Sequence, residues 1–173
     1  PMIALSQQDS VIIKKELEEV NVNALRANKE TPVAYTNINK LEIEENNLGQ
    51  DLPYIISLTP SLVTTSDAGA GIGYTSFRIR GSDPTRINVT INGIPLNDSE
   101  SQGVWWVNMP DFSSSIENIQ IQRGVGTSTN GSSAFGASIN LKTDKFKAKP
   151  YVLTNNTAGS FSTMKNNIEF GSG

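Results

Sequence analysis

Two short segments of the same design constrain this chain most: Phe77-Arg78-Ile79-Arg80-Gly81 and Ile119-Gln120-Ile121-Gln122-Arg123-Gly124. Each alternates apolar and polar side chains and ends in Arg-Gly. A period of two is the signature of a strand, so Phe77, Ile79, Ile119 and Ile121 face one environment and their polar neighbours another. Each arginine stands at a strand end, just before a turn glycine, where a charge is held in place by the element behind it.

Between the two segments lies Arg86-Ile87-Asn88-Val89-Thr90-Ile91, then Asn92-Gly93, then Ile94-Pro95-Leu96. Asn-Gly between β-type runs predicts a hairpin with a type I′ turn, which needs φ > 0 at both central residues. Pro95 keeps the return strand short or at an edge. After the second Arg-Gly a run of small residues leads into a last strand, Ser138–Thr143. Upstream, residues 31–38 read as a first strand. Residues 48–57 read as a short helix, with Leu48, Leu52, Ile55 and Ile56 on its apolar side and Pro60 ending it. Beyond a basic connector, 151–158 and 163–170 alternate weakly, as barrel strands do.

Composition removes whole classes of function. The chain has 173 residues, no Cys and no His. Disulfides, thiolate chemistry, Cys/His zinc sites and imidazole acid–base catalysis are therefore excluded. A net charge of −3 offers no footprint for nucleic acid. A hydrophobic content of 36% is low for a self-sufficient enzyme core and fits a small polar domain in a wet surrounding. No catalytic grouping, cofactor motif or metal cage is apparent. Asp98 and Glu100 fall short of the six to eight oxygens that Ca²⁺ takes. Asp67-Ala68-Gly69-Ala70-Gly71-Ile72-Gly73-Tyr74 is glycine-rich, but no Gly-Lys-Ser/Thr follows, so it is a loop and not a phosphate cradle.

A second loop runs from Asn97 to Asp111 and holds both tryptophans, Trp105 and Trp106. Indole suits an exposed ligand platform and equally an anchor that fixes a loop. Adjacent residues do not easily share one role, so one ring is expected inside and the other presented. At the N-terminus, residues 1–6 end in Ala4-Leu5-Ser6. They read as the tail of a secretory signal cleaved before Gln7, the alternative being an ordinary apolar end. In Glu16-Leu17-Glu18-Glu19-Val20-Asn21-Val22, Val20 and Val22 alternate as in a segment that adds a strand to an exposed sheet edge. The alternative reading makes Lys14 to Glu19 the charged first turn of a helix.

The ordered strings FRIRGSDPTRINVTINGIPLND, IENIQIQRGVG and NGSSAFGASINLKT resemble the plug domain of TonB-dependent outer-membrane receptors. That family repeats an R-x-R-G strand, a D/N-G-x-P-L hairpin, an I-E-x-I-x-x-x-R-G strand and a Y-G-x-x-A-x-G-G-x-I-N-I-x-T run in this order. The chain departs from it at Asn130-Gly131, where Tyr-Gly is common, and at Gly136-Ala137, where Gly-Gly is common. The resemblance implies an α+β fold: a small mixed-sheet plug with short helices, then the start of a transmembrane barrel of about 22 strands. It divides the chain into a signal-peptide tail (1–6), a flexible N-terminal segment with the Ton box (7–29), the plug (30–146) and a truncated first barrel hairpin (147–173).

By the same resemblance Glu16, Leu17, Glu18, Glu19, Val20, Asn21 and Val22 form the Ton box, offered to the C-terminal domain of TonB in the periplasm. Arg80 and Arg123 match arginines that lock the plug to barrel-wall glutamates; plug carboxylates or strand-end carbonyls are the other partners open to them. Asp67, Tyr74, Asp98, Gln102, Trp105 and Trp106 fall on apex loops that meet a small-molecule ligand from outside. The function implied is energy-coupled uptake across the outer membrane of a Gram-negative bacterium, with outer-membrane lipid around the chain's own barrel. Arg123-Gly124 stands where starch-utilisation importers tend to carry Leu-Lys-Asp-Ala, which points to an iron chelate, haem or a cobalamin-like ligand. A free β-rich binding or adhesion module of the envelope is the alternative.

Overall fold

The computed structural model describes residues 26–125, 134–160 and 162–173. Five strands form the main sheet: β1 (Ala34–Asn39), β4 (Ile87–Ile91), β5 (Ile94–Pro95), β6 (Ile116–Arg123) and β7 (Ala137–Thr143). Their order is β1-β6-β7-β4-β5. β4 and β7 run parallel and every other pairing is antiparallel, so the sheet is mixed. β2 (Leu62–Ser66) and β3 (Thr75–Ile79) pair as a separate hairpin, as do β8 (Tyr151–Ala158) and β9 (Met164–Gly171). Asn92 and Gly93 have φ of 50° and 86°, the two positive values that a type I′ turn requires.

Alternation splits the main sheet into two unlike faces. Ile87, Val89, Ile119, Ile121, Ile139 and Leu141 lie on one face and are buried with Ile43, Leu52, Ile55, Ile56, Phe77, Ile79 and Trp106 in one apolar cluster. Asn88, Thr90, Gln120, Gln122, Ser138 and Asn140 alternate with them, and they too are buried. Phe77 and Ile79 thus reach the same core as Ile119 and Ile121, although they stand in the β2–β3 hairpin rather than in the main sheet.

The helical expectation needs correction. Helix α2 covers only Leu52–Ile55, with Asp51 as N-cap and Pro53 in the first turn. Gly49 has φ 95°, outside helical space, and Leu48 is 55% exposed instead of packing in the core. A helix that the apolar spacing does not announce, α1 (Lys40–Asn46), precedes it. A capping box starts it: the Asn39 side chain accepts from the Glu42 N–H at 3.1 Å, and the Asn39 N–H donates to Glu42 Oε2 at 2.8 Å. Its buried residue is Ile43. The first strand begins at Ala34 rather than at residue 31 and includes Asn39.

In the β8–β9 hairpin, cross-strand pairs Val152–Phe170, Thr154–Ile168 and Ala158–Met164 share one face. Val152, Met164, Ile168 and Phe170 are 70–77% exposed there. Tyr151, Lys165 and Glu169 take the opposite face and are hydrogen-bonded. Apolar side chains gathered mainly on one face fit the weak dyad pattern of a barrel strand pair, although Leu153 stands on the other face.

Candidate functional site

The β2–β3 hairpin organises the site, with a loop end and a base that carry different chemistry. At the loop end the chain reverses over residues 67–74, closed by Asp67 N–H to the Tyr74 carbonyl at 3.1 Å. Gly71 takes φ 78°, which strains any other residue, and a Cβ there would lie 2.7 Å from Gln50 Nε2 and 3.0 Å from the Tyr54 ring, so its neighbours would have to shift. Against this loop lies the segment that contains both tryptophans. Trp106 is 3% exposed and packs on Phe77 with ring centroids 5.9 Å apart, whereas Trp105 is 53% exposed. One indole is thus an anchor and its neighbour is presented, the split expected of adjacent residues.

A cleft of about 580 Å³ opens between the two loops, lined by Asp67, Tyr74, Trp105 and Trp106 together with Arg78 and Asp83. Two aromatic rings at its surface offer flat apolar contact, and the charged groups offer directed hydrogen bonds. Asp83 accepts from Thr85 N–H at 3.0 Å and Thr85 Oγ1 at 2.9 Å. Those bonds, helped by the charges of Arg78 and Arg86, hold its carboxyl below the ordinary carboxylate range. The cleft therefore presents an anionic Asp83 beside the Arg78 guanidinium at neutral pH.

Asp98 and Gln102 sit differently. Asp98 Oδ2 accepts from Ser101 N–H at 2.7 Å, Ser101 Oγ at 2.9 Å and Glu100 N–H at 3.2 Å. The bonds from Ser101 come first in keeping its carboxyl below the usual range. Gln102, at φ 57°, donates to the Ser99 carbonyl at 2.9 Å. Both side chains shape the loop, while Ser101 and Gly103 beside them line the cleft. Asn97 ties that loop to the sheet, donating to the Ile87 carbonyl and accepting from Val89 N–H.

At the base of the hairpin the two arginines meet. Arg80, at φ 51°, donates its N–H to the Ser61 carbonyl at 2.9 Å, and Arg123 Nη1 reaches the neighbouring Pro60 carbonyl at 3.4 Å. The Arg80 guanidinium lies 3.0 Å from the point where a Cβ on Gly124 would stand. The ion pairs among the described residues are Lys40–Asp144, Lys147–Glu169 and Lys165–Asp111, so neither arginine has a carboxylate there. Arg123 Nε is buried without a partner. Among the described residues one turn carbonyl, that of Pro60, takes part of the Arg123 fork.

Residues 16–22 lie outside the described residues. The described chain begins on the buried polar face of the sheet. Gln120 accepts from Ala27 N–H at 2.7 Å and donates to the Ala27 carbonyl at 2.9 Å, while Arg26 donates to the Asn140 carbonyl at 3.1 Å. Burial lowers the pKa of the Arg26 guanidinium, and the charge of Glu117 opposes that shift.

Arg78, Asp83 and Thr85 are members of the cleft that the sequence reading did not single out. Their local signals were present: Arg78 alternates with Phe77 and Ile79, and Asp83-Pro84 starts the 3₁₀ turn Pro84–Arg86. What places them beside the tryptophan loop is the tertiary fold.

The TonB-dependent Receptor Plug Domain family matches residues 27–138. The vitamin B12 transporter BtuB of Vibrio vulnificus is 30% identical over 106 residues, which are 61% of this chain and 17% of that protein. Among solved structures, FpvA of P. aeruginosa, bound to heterologous pyoverdines, superposes with a TM-score of 0.61 at 18% identity, over 83% of this chain and 18% of that one. The alcaligin outer-membrane receptor FauA of Bordetella pertussis does so with a TM-score of 0.63 at 20% identity, over 83% and 24%. At those identities the two structures establish the fold. The chain spans less than a quarter of the length of each of these relatives.

Proposed function

Because the chain belongs to the plug-domain family of TonB-dependent receptors, we propose that it gates energy-coupled uptake of a scarce ligand, an iron chelate, haem or a cobalamin-like molecule, through an outer-membrane barrel in a Gram-negative bacterium. One observation carries the reading. The β2–β3 hairpin holds an aromatic cleft at its loop end, and at its base stand Arg80 and, from the end of β6, Arg123, neither with a carboxylate partner among the described residues. Ligand would enter at the cleft, with Tyr74 and Trp105 as stacking surfaces and Asp67, Arg78 and Asp83 as polar contacts. Arg80 and Arg123 would take barrel-wall carboxylates. A guanidinium forks two hydrogen bonds to such a group, and removing one partner of a desolvated pair costs about 3–5 kcal/mol. A few such pairs hold a plug that can still be withdrawn.

The exposed apolar face of β8–β9 would meet outer-membrane lipid, and its polar face the lumen. Residues 16–22 would be captured by TonB through strand pairing. The work is gating, and no covalent step is asked of any residue. Calorimetric titration of the 173-residue chain with a TonB C-terminal domain tests this reading, beside a variant lacking Glu16–Asn23. Binding that disappears with the deletion is expected. Equal binding by both forms, or by neither, rejects the Ton box; absence in both also returns the free-module alternative.

A further inference from the structure

Five consecutive residues, Asn47–Asp51, touch the loop end of the cleft at one end and the β8–β9 hairpin at the other. Lys165 projects from the polar face of β9 and its side chain is only 12% exposed. Its Nζ donates to Asp111 Oδ1 at 2.6 Å and to Ser114 Oγ at 3.1 Å. Asp111 stands at φ 52°, just before the 3₁₀ turn Phe112–Ser115, and Oδ1 also accepts from Ser114 Oγ at 2.8 Å. Asn47, 8% exposed, completes the cradle, with Nδ2 at 3.3 Å from Asp111 Oδ1 and 3.0 Å from Ser114 Oγ.

The connector then turns toward the cleft. Asn47 Oδ1 accepts from Gly49 N–H at 3.3 Å, and a Cβ on Gly49 would lie 3.7 Å from Lys165 Cδ. Gln50 Nε2 donates to the Ala70 carbonyl at 3.1 Å and Asp51 N–H to the Gly71 carbonyl at 2.9 Å. Thr75 Oγ1 donates to Asp51 Oδ2 at 2.8 Å, with Asp51 and Thr75 5% and 7% exposed. Only Leu48, Gly49 and Gln50 separate Asn47 from Asp51, and Gln50 is itself tied to the loop. Both amide hydrogens of the Asn47 side chain are committed to the Lys165 cradle, so a shift at Asp51 has little slack to absorb it.

From this we infer that Asn47, Asp111 and Ser114 form a lysine-binding anchor for the first barrel hairpin, and that the Asn47–Asp51 connector couples its strength to the conformation of the cleft loop at 70–75. The inference deepens the transport reading and rests on it for its purpose: occupancy of the cleft would alter how tightly the plug is held to the wall. Asn47 and Asp51 are positioning residues here and touch no ligand.

Amide hydrogen exchange on the 173-residue chain reads the coupling without ligand or TonB. K165M removes the charge and keeps the apolar stem. The Asp51 and Gly71 amides should exchange about 5- to 100-fold faster, while Ile121 and Ile139 in the sheet stay unchanged. An increase confined to 111–115 and 164–171 overturns the inference. If the sheet amides also rise, the variant has lost its fold and a reverse arm decides. In T75V, which severs the bond to Asp51, amine acylation at Lys165 should accelerate, since coupling is reciprocal; an unchanged rate overturns the inference. Failure here leaves TonB capture untouched, and failure of TonB capture leaves this coupling untouched.

Discussion

The two faces of the main sheet are equally dry and chemically opposite. On one, isoleucines of β6 and β7 pack with α1, α2 and the β2–β3 hairpin. On the other, carboxamides and hydroxyls of β4, β6 and β7 are buried. Gln120 is the centre of that second face, and its side chain is saturated. Nε2 donates to the Ala27 carbonyl and Asn37 Oδ1, while Oε1 accepts from Ala27 N–H and Gln122 Nε2. The difference separates cohesion from grip. Apolar burial is not recovered when water returns, whereas an amide exchanges a protein partner for water at a net loss of about 0.5–1.5 kcal/mol per bond. Under the proposed gating function, a plug that stays folded yet lets go of what lies across it would be served by one face of each kind.

Substitutions on matched positions of β6 break this comparison most directly. Ile121→Ala opens a cavity in the apolar cluster and should lower stability by about 2–5 kcal/mol, read from denaturant unfolding. Gln120→Leu keeps the volume and strands Ala27 N–H and C=O, for a loss of about 1–3 kcal/mol. The second variant should also release the Ala27 amide to exchange while Ile119 and Ile139 stay protected. Equal losses at both positions, with uniform exchange, would mean that the faces do not differ in kind. Thr90→Val comes next: its Oγ1 bond to Asn140 Oδ1, at 2.8 Å, is one of several on that face, so about 0.5–1.5 kcal/mol is expected.

Period-two alternation made β3, β4, β6, β7 and the β8–β9 hairpin legible, and Asn92-Gly93 fixed the turn between β4 and β5. The same alternation assigns Gln120 and Gln122 to the face opposite Ile119 and Ile121, yet says nothing about what covers them; that is settled by chain far away, at Ala27. β2 escaped because Leu62–Ser66 becomes a strand through its pairing with β3. α1 escaped although its capping box was written in Asn39 and Glu42, because so short a helix carries no clear apolar stripe. The expected helix over 48–57 was too long because its spacing ignored the positive φ that Gly49 adopts. At the site, the division of labour between Trp105 and Trp106 could be foreseen from adjacency. The meeting of Arg78 and Asp83 with them could not, since nothing local brings two distant loops together.

Acid should distinguish the amide face from the anchor beneath the barrel hairpin, and it gives the smallest effect. The carboxamides of Gln120, Gln122 and Asn140 do not titrate, so bonds on that face are indifferent to pH. Asp111 does titrate. Burial pushes its carboxyl up, but hydrogen bonds from Lys165, Ser114 and Asn47 and the charge of Lys165 prevail, and its pKa lies below the ordinary value. A group whose folded pKa is depressed contributes stability that is complete above its unfolded value, about 3.9, and is lost as pH falls through the folded one. The hold of Asp111 on Lys165 should therefore persist from neutral pH to about 4 and weaken only below it. Because the Asp111 side chain is 36% exposed, solvent screens the pair and the loss is modest. Exchange at the Lys165 amide, corrected for the intrinsic effect of pH and referenced to Asp111→Asn, reads it out: wild type should approach the variant below pH 4 and depart from it above. A wild-type profile parallel to the variant at every pH would mean that the carboxylate does not hold the hairpin. The neutral hydrogen bonds of Asn47 and Ser114 would then carry the contact, and the anchor would obey the same chemistry as the amide face.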